Sequence, residues 1–265
     1  MTGNVRIALG IEYDGTAYAG WQAQRSTPSI QTLLEAALRP VADEAVNLIC
    51  AGRTDAGVHA RAQVTHFDTQ ARRTARGWVL GANTSLPADI SVAWAREVPR
   101  HFHARYSAEA RTYRYYVFNR PIRAALAARG ATWIRQPLDH ERMQAAASEL
   151  KGSHDFSAFC SSDSQSDTSI RRVDEVTVRR EGDFVIIEAT ANAFLHHMVR
   201  NIAGTLITIG QGEADALALR GMLRSRDRSQ AGPTAPAQGL YLWSVRYARA
   251  FALPSPRSAM IGPLL

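Results

Sequence analysis

In VRIALGIEYDG, Val5 to Gly15, the stretch Val5 to Tyr13 alternates like a β-strand and ends at Asp14-Gly15, a turn pair. Next comes a helix over Ile30 to Ala42, N-capped by Ser29, with Ile30, Leu33, Leu34, Ala37, Leu38 and Val41 on one apolar stripe. Val46 to Cys50 and Gln63 to Phe67 read as short strands around the loop Ala51 to Ala62. Thr74 to Ala82 reads as a helix and Ile90 to Val98 as a strand. The order is strand, helix, strand, strand, helix, strand. The second half repeats it: strand Arg111 to Phe118, helix Asp139 to Leu150 capped by Asp139, a hairpin of Val173 to Arg180 and Phe184 to Thr190 across Glu181-Gly182-Asp183, helix Phe194 to Ile209, and strand Leu240 to Tyr247. Two split βαβ units, ferredoxin-like halves of an α+β protein, follow from that duplication. The expected division is residues 1–105 and 106–265, with the two halves joined through a mixed, largely antiparallel sheet that carries a cleft. Ser161 to Ser169 and Ser225 to Gln238 read as polar loops, and Phe251 to Leu265, with three prolines, as an extended tail.

Composition narrows the function. The chain has 265 residues, 46% of them hydrophobic and 21% charged, enough for a sizeable core without metal or disulfide staples. Cys50 and Cys160 form no framework and no CxxC pair, which fits a reducing cytoplasm. No stretch approaches 18 consecutive apolar residues, so no membrane span is expected. Against 24 acidic residues stand 31 basic ones, all arginine except Lys151, for a net charge of +7 and a pI near 9.9. Codon bias accounts for Arg over Lys but not for the excess of positive charge, which favours an anionic partner such as nucleic acid.

Three segments could carry chemistry. Gly52-Arg53-Thr54-Asp55-Ala56-Gly57-Val58-His59 sets an Arg, an Asp and a His on a glycine-flanked loop between strands. If the Arg53 guanidinium folds onto Asp55, it keeps the acid ionised and ready to act as nucleophile or base. The plainer reading is an Asx-turn in which Asp55 bonds its own loop amides. Arg100 to Arg123 interleaves six arginines with Phe102, Tyr106, Tyr113, Tyr115, Tyr116 and Phe118. In strand geometry Arg111, Tyr113, Tyr115 and Val117 share one face, and Thr112, Arg114, Tyr116 and Phe118 the other. Guanidinium groups for phosphate and rings for splayed bases suit RNA; a half-buried strand with core tyrosines is the alternative. In Phe194 to Asn201, Leu195, Met198 and Val199 open a core-facing helix stripe with Arg200 on its flank, either a surface arginine or one seeking an anion such as Asp55 or a phosphate. His59, His66, His196 and His197 have no zinc-ligand spacing, so no metal is expected. Walker loops, GxGxxG after a strand, GxSxG elbows and hydrolase carboxylate pairs are all missing from the sequence.

These motifs resemble the tRNA pseudouridine synthase A (TruA-type) family, and the likeness runs through most of the chain. It covers Gly10 to Gly15, Gly20-Trp21-Gln22, Ala51 to His59, Phe102 to Arg105, Arg111 to Tyr115, Asp155-Phe156, Ala191 to Phe194, His196 to Asn201 and Gly239 to Leu242. The resemblance implies a pseudouridine synthase fold with a central basic cleft. It also implies isomerisation of uridine to pseudouridine at positions 38, 39 and 40 of the tRNA anticodon stem-loop by a homodimer that needs no cofactor. Asp55 is then the catalytic nucleophile and Arg53 its partner, while Arg200 joins a charged network around the acid. Tyr113 stacks on the target uracil, and Leu240 walls the base pocket. Phe102, His103, Arg105, Arg111, Gln165 and Thr168 are the further tRNA-binding residues it implies; Asp167 departs from the basic residue relatives often carry there. The competing function is a structured-RNA-binding protein without catalysis, in which Asp55 is only a turn residue.

Overall fold

The computed structural model describes residues 3–24, 27–161, 167–215 and 217–254. They pack as two compact units, one of residues 3–109 with 242–254 and the other of residues 110–241. The chain thus returns its last strand to the first unit, and the change of unit falls four residues after the division expected from the sequence.

In the first unit β1 (Val5–Tyr13) lies between two antiparallel neighbours, β3 (His59–Thr69) and β4 (Ile90–Val98), so that Tyr13 faces Ala60 on one side and Ile90 on the other. On the side of β3 away from β1 lie the short β2 (Ile49–Cys50) and, further along, β10 (Leu240–Tyr247). Helix α1 (Ile30–Ala42) forms where the apolar spacing requires it. The Ser29 hydroxyl caps it by accepting from the Thr32 amide, Ile30, Leu34, Ala37 and Leu38 are buried, and Leu33 and Val41 are half-buried at the stripe's edge. Helix α2 (Ala75–Ser85) starts from a Thr74 cap. A core cluster of Ala8, Ala51, Val64, Val98, Phe102 and Ala104 is closed by Tyr247, Phe251 and Leu253 from the chain end.

The second unit contains β5 (Ala108–Asn119), β6 (Thr132–Ile134), α3 (His140–Ala147), β7 (Gly152–Asp155), β8 (Ile170–Glu181), β9 (Phe184–Ala191), α4 (Met198–Gly210) and α5 (Ala218–Ser225). The order β5-β9-β8-β7 is antiparallel throughout, and only β6 joins β5 in parallel. The architecture is α+β with a mixed, largely antiparallel sheet, as the sequence implied. Asp139 caps α3 through its carboxylate, and the hairpin turns on Gly182-Asp183 with Gly182 at φ 58.

The differences from the sequence reading have local causes. Val46 and Leu48 are buried, but only Ile49–Cys50 pairs, because the Leu48 amide and carbonyl are taken up by the Glu35 and Gln31 side chains of α1. Strand β3 starts at His59 and shortens the preceding loop to residues 51–58. Helix α4 starts at Met198, after His197 takes a left-handed backbone (φ 62) that ends any helix attempted from Phe194. Strands β6 and β7 and helix α5 are too short to show a period. Of the expected extended tail, residues 255–265 lie outside the described residues, and Arg249–Phe251 forms a turn of 3-10 helix. No helix among the described residues is long and apolar enough to cross a membrane.

Candidate active site

Asp55 sits on the loop between β2 and β3, and the burial of its neighbours alternates: Arg53 exposed, Thr54 buried, Asp55 half-buried. Thr54 packs inward, Arg53 reaches solvent, and Asp55 lies between the two extremes. Ties surround the acid on both sides. The Gln63 side-chain amide donates to the Gly52 carbonyl at 2.7 Å, and the Thr54 and Tyr13 hydroxyls share a buried hydrogen bond of 2.7 Å. The Trp21 amide donates to the Thr54 carbonyl at 3.0 Å, and the Val58 amide to the Asp55 carbonyl at 3.1 Å. That last bond closes the turn with main chain, and Gly57 adopts φ 76 within it.

His59, where β3 begins, is fully buried and anchors the loop's far end. Its Nδ1 accepts from the Gly15 amide at 3.1 Å and lies 3.0 Å from the Asp14 carboxylate. Burial works to raise the Asp14 pKa, but hydrogen bonds from the Thr16 hydroxyl and amide, together with His59, outweigh it and hold the carboxyl below its usual range. Just upstream, burial pushes the Cys50 thiol up to about 12, against the opposing pull of Arg53 and Arg105, which keeps it un-ionised at neutral pH.

One expectation for this loop fails. Among the described residues Arg53 makes no ion pair with Asp55, because its side chain leaves the loop toward solvent.

The segment Phe102 to Tyr106 divides sharply. Phe102 is wholly buried against Tyr247 and Phe251, with ring centroids 5.2 and 5.0 Å away, so its expected contact with tRNA is corrected to a core role. Arg105 is exposed and Tyr106 is 77% exposed. The Tyr106 ring stacks on His103 at 4.4 Å, and His103 is fixed by accepting from the amides of Arg105 and Tyr106. The sequence reading placed Tyr106 in the Arg-aromatic run suited to RNA, one residue beyond Arg105.

In the second unit Tyr115 and Tyr116 of β5 are core residues. Tyr115 bonds the Thr132 hydroxyl and the Pro236 carbonyl, and Tyr116 meets Tyr241 and Phe184 edge-on. Tyr113 is 8% exposed, with Phe194 edge-on at 5.1 Å, and Leu240 is 5% exposed. Arg111, expected to bind tRNA, is instead buried, with its guanidinium on the Asn192 carbonyl, and Arg114 pairs with Glu188. Arg200, in the first turn of α4, donates from Nε to the Ala235 carbonyl at 2.8 Å, while the Ala235 amide returns a bond to the Arg200 carbonyl.

One turn of α4 carries a second fixed point that the sequence did not announce. Buried Asn201 donates to the Phe159 carbonyl and accepts from Arg228 and Thr234, which docks the segment after α5 onto the helix. Beside it lies a cavity of about 490 Å³ lined by His197, Asn201, Arg226 and Arg228 among others. Thr168 is exposed, and Gln165 lies outside the described residues.

A family model described as tRNA pseudouridine synthase matches residues 10–107 and 146–248. The chain is 55% identical to the tRNA pseudouridine synthase A of Methylococcus capsulatus over 249 residues, 94% of this chain and 92% of the relative. With the enzyme of the same name from Pseudoalteromonas atlantica it shares 50% over 260 residues, 98% of each chain, and with that of Pseudomonas aeruginosa 52% over 250 residues, 94% and 88%. Together with the α+β fold and the cradled aspartate loop, matches of this extent define the class: the chain belongs to the tRNA pseudouridine synthase family.

Proposed function

We propose that this chain isomerises uridine to pseudouridine in tRNA, at positions 38, 39 and 40 of the anticodon stem-loop, as a cytoplasmic homodimer with Asp55 as the catalytic carboxylate. The reaction breaks the N1–C1′ glycosidic bond, turns the uracil and rejoins it through C5. The C5 proton leaves to water and N1 gains one, so atoms balance without an oxidant or a group donor. The carrying observation is the half-buried Asp55 on a loop tied down at Gly52, Thr54 and Val58: a carboxylate held in one place suits attack at C1′ or removal of a sugar proton.

The other roles follow from residue type and exposure. Arg53, exposed two residues before the acid, and Arg200 are the cations that accompany it. Tyr113 offers a flat ring to a base that has left its stack, and Leu240 an aliphatic wall; neither grips the base directionally, so it can rotate. His103, Arg105 and Thr168 are surface contacts to tRNA.

The test uses tRNA tritiated at C5 of uridine. The wild-type chain releases label to water, and Asp55→Ala abolishes release while changing tRNA affinity by less than about threefold. Normal release from Asp55→Ala would remove Asp55 from the reaction; wild-type binding without any release would leave only the RNA-binding function.

A further inference from the structure

Two sequence motifs take no part in the chemistry above, Tyr13-Asp14-Gly15 and Gly20-Trp21, yet both touch the Asp55 loop. Tyr13 ends β1, the strand paired on both sides, is 4% exposed, and has its ring 6.2 Å from that of Trp21. Its hydroxyl is therefore among the better-fixed polar atoms of this unit. It meets the Thr54 hydroxyl at 2.7 Å, while the Trp21 amide holds the Thr54 carbonyl at 3.0 Å. A residue held at both its side-chain oxygen and its carbonyl cannot rotate about its backbone, and the next Cα, that of Asp55, is set with it. Gly20 closes the other side: at φ 92 its backbone lies so near that a Cβ would stand 2.5 Å from the Thr54 carbonyl oxygen and 2.9 Å from the Asp55 carbonyl carbon. Opposite Tyr13 the register of β3 slips between the Ile11–Gln63 and Tyr13–Ala60 pairs, a bulge at the end of the strand that begins with His59.

We infer that Tyr13 is a positioning residue: its hydroxyl, through Thr54, holds the Asp55 carboxylate in its reactive place. Tyr13 touches no substrate atom. The inference rests on Asp55 being the catalytic carboxylate, and its test keeps the two apart.

Tyr13→Phe deletes one oxygen and leaves the ring to pack. Released from that tie, Thr54 shifts, and displacements near 1 Å cost catalysis about 100-fold. The expected result in single-turnover tritium release is a loss of about 10- to 100-fold in rate at saturating tRNA, with the half-saturating tRNA concentration changed by less than about twofold and Tm by less than about 3 °C. Thr54→Val causes the same loss, the double variant Tyr13→Phe/Thr54→Val loses little more than either single one, and Thr54→Ser, which keeps the hydroxyl, recovers most of the rate. An unchanged rate in Tyr13→Phe overturns the inference, as does a loss that follows Tm or one that adds in full to that of Thr54→Val. Asp55→Ala is measured alongside. If it releases label normally, the catalytic reading fails first; if it is dead while Tyr13→Phe is unaffected, only the positioning role falls.

Discussion

Arg111 and Asn192 are joined across the β5–β9 pair, the guanidinium Nη1 donating to the asparagine carbonyl at 2.7 Å with Arg111 only 8% exposed. The Arg100 to Arg123 run, uniform as sequence, therefore holds arginines of different kinds. Arg111 is a tie within the sheet, Arg114 is paired with Glu188, and Arg105 faces solvent. A net positive charge becomes an RNA surface only through the last kind.

Salt dependence of tRNA binding separates them. Each phosphate contact releases counterions and contributes about one unit to the slope of log affinity against log salt. Arg105→Ala flattens the slope by about one unit with Tm unchanged. Arg111→Ala leaves the slope intact and lowers stability by about 1–3 kcal/mol, because the Asn192 main-chain carbonyl loses its charged donor. A flattened slope in Arg111→Ala, read by filter binding from 50 to 300 mM salt, would return that residue to the RNA surface.

Tyr106 is expected to carry a base. Its ring stands 77% exposed over His103, with the Arg105 guanidinium 5.6 Å from the ring centre. Stacking on such a ring contributes about 1–3 kcal/mol per base. Tyr106→Ala should weaken tRNA binding about 5- to 100-fold with an unchanged salt slope, and Tyr106→Phe should bind normally. Equal losses in both variants would assign the effect to the hydroxyl instead of the ring.

Acid stability reports on His66. Its Nδ1 accepts from the Ala104 amide, and its pKa falls to about 4 through burial first and the nearby Arg6 and His103 second. His103 is lowered as well, again mainly by burial. The folded state thus holds a neutral imidazole that the unfolded chain protonates near pH 6.5, so the unfolded chain binds more protons between about pH 6.5 and 4. This contribution is complete above pH 6.5 and is lost as pH falls toward 4, by about 1–2 kcal/mol once solvent screening of the ring edge is allowed for. Asp14 and Asp68, whose pKa values are lowered, lose their contributions only at more acidic pH. Urea titrations of His66→Gln should show a flatter dependence across that window, and an unaltered slope would clear His66 of the effect.

The sequence reading succeeded where one chemical rule acts locally. Ser29 and Asp139 cap helices because their side chains reach amides two or three residues on, and β1, α1, β4 and β10 have the bounds that alternation or a 3.6-residue stripe predicts. Asp55 stood out only through the resemblance of Ala51 to His59 to the family, since an acid on a Gly-flanked loop reads as readily as a turn former. What could not be read depends on distant partners. Burial of Phe102 needs Tyr247 and Phe251 from the chain end, the Arg111 tie needs Asn192, and the hydroxyl pair of Tyr13 and Thr54 spans 41 positions. The direct Arg53–Asp55 pairing was not legible for another reason: a spacing of two does not by itself make the longer side chain turn back onto the shorter.

Two glycines with positive φ test how the loop is held. Gly182, at φ 58 in the β8–β9 turn, has open space where a Cβ would stand, whereas Gly20, at φ 92, has the Thr54 carbonyl oxygen 2.5 Å away. Gly182→Ala therefore meets only the left-handed backbone penalty of about 1–2 kcal/mol, visible in urea, and retains full tritium release. Gly20→Ala meets that penalty together with a collision against main chain, which relaxes only by pushing the Thr54–Asp55 peptide outward. Its release rate should fall at least about 100-fold, well beyond what its loss of stability at the assay temperature explains. Equal stability losses with equal activities in the two variants would mean that the loop yields to Gly20 without moving the carboxylate.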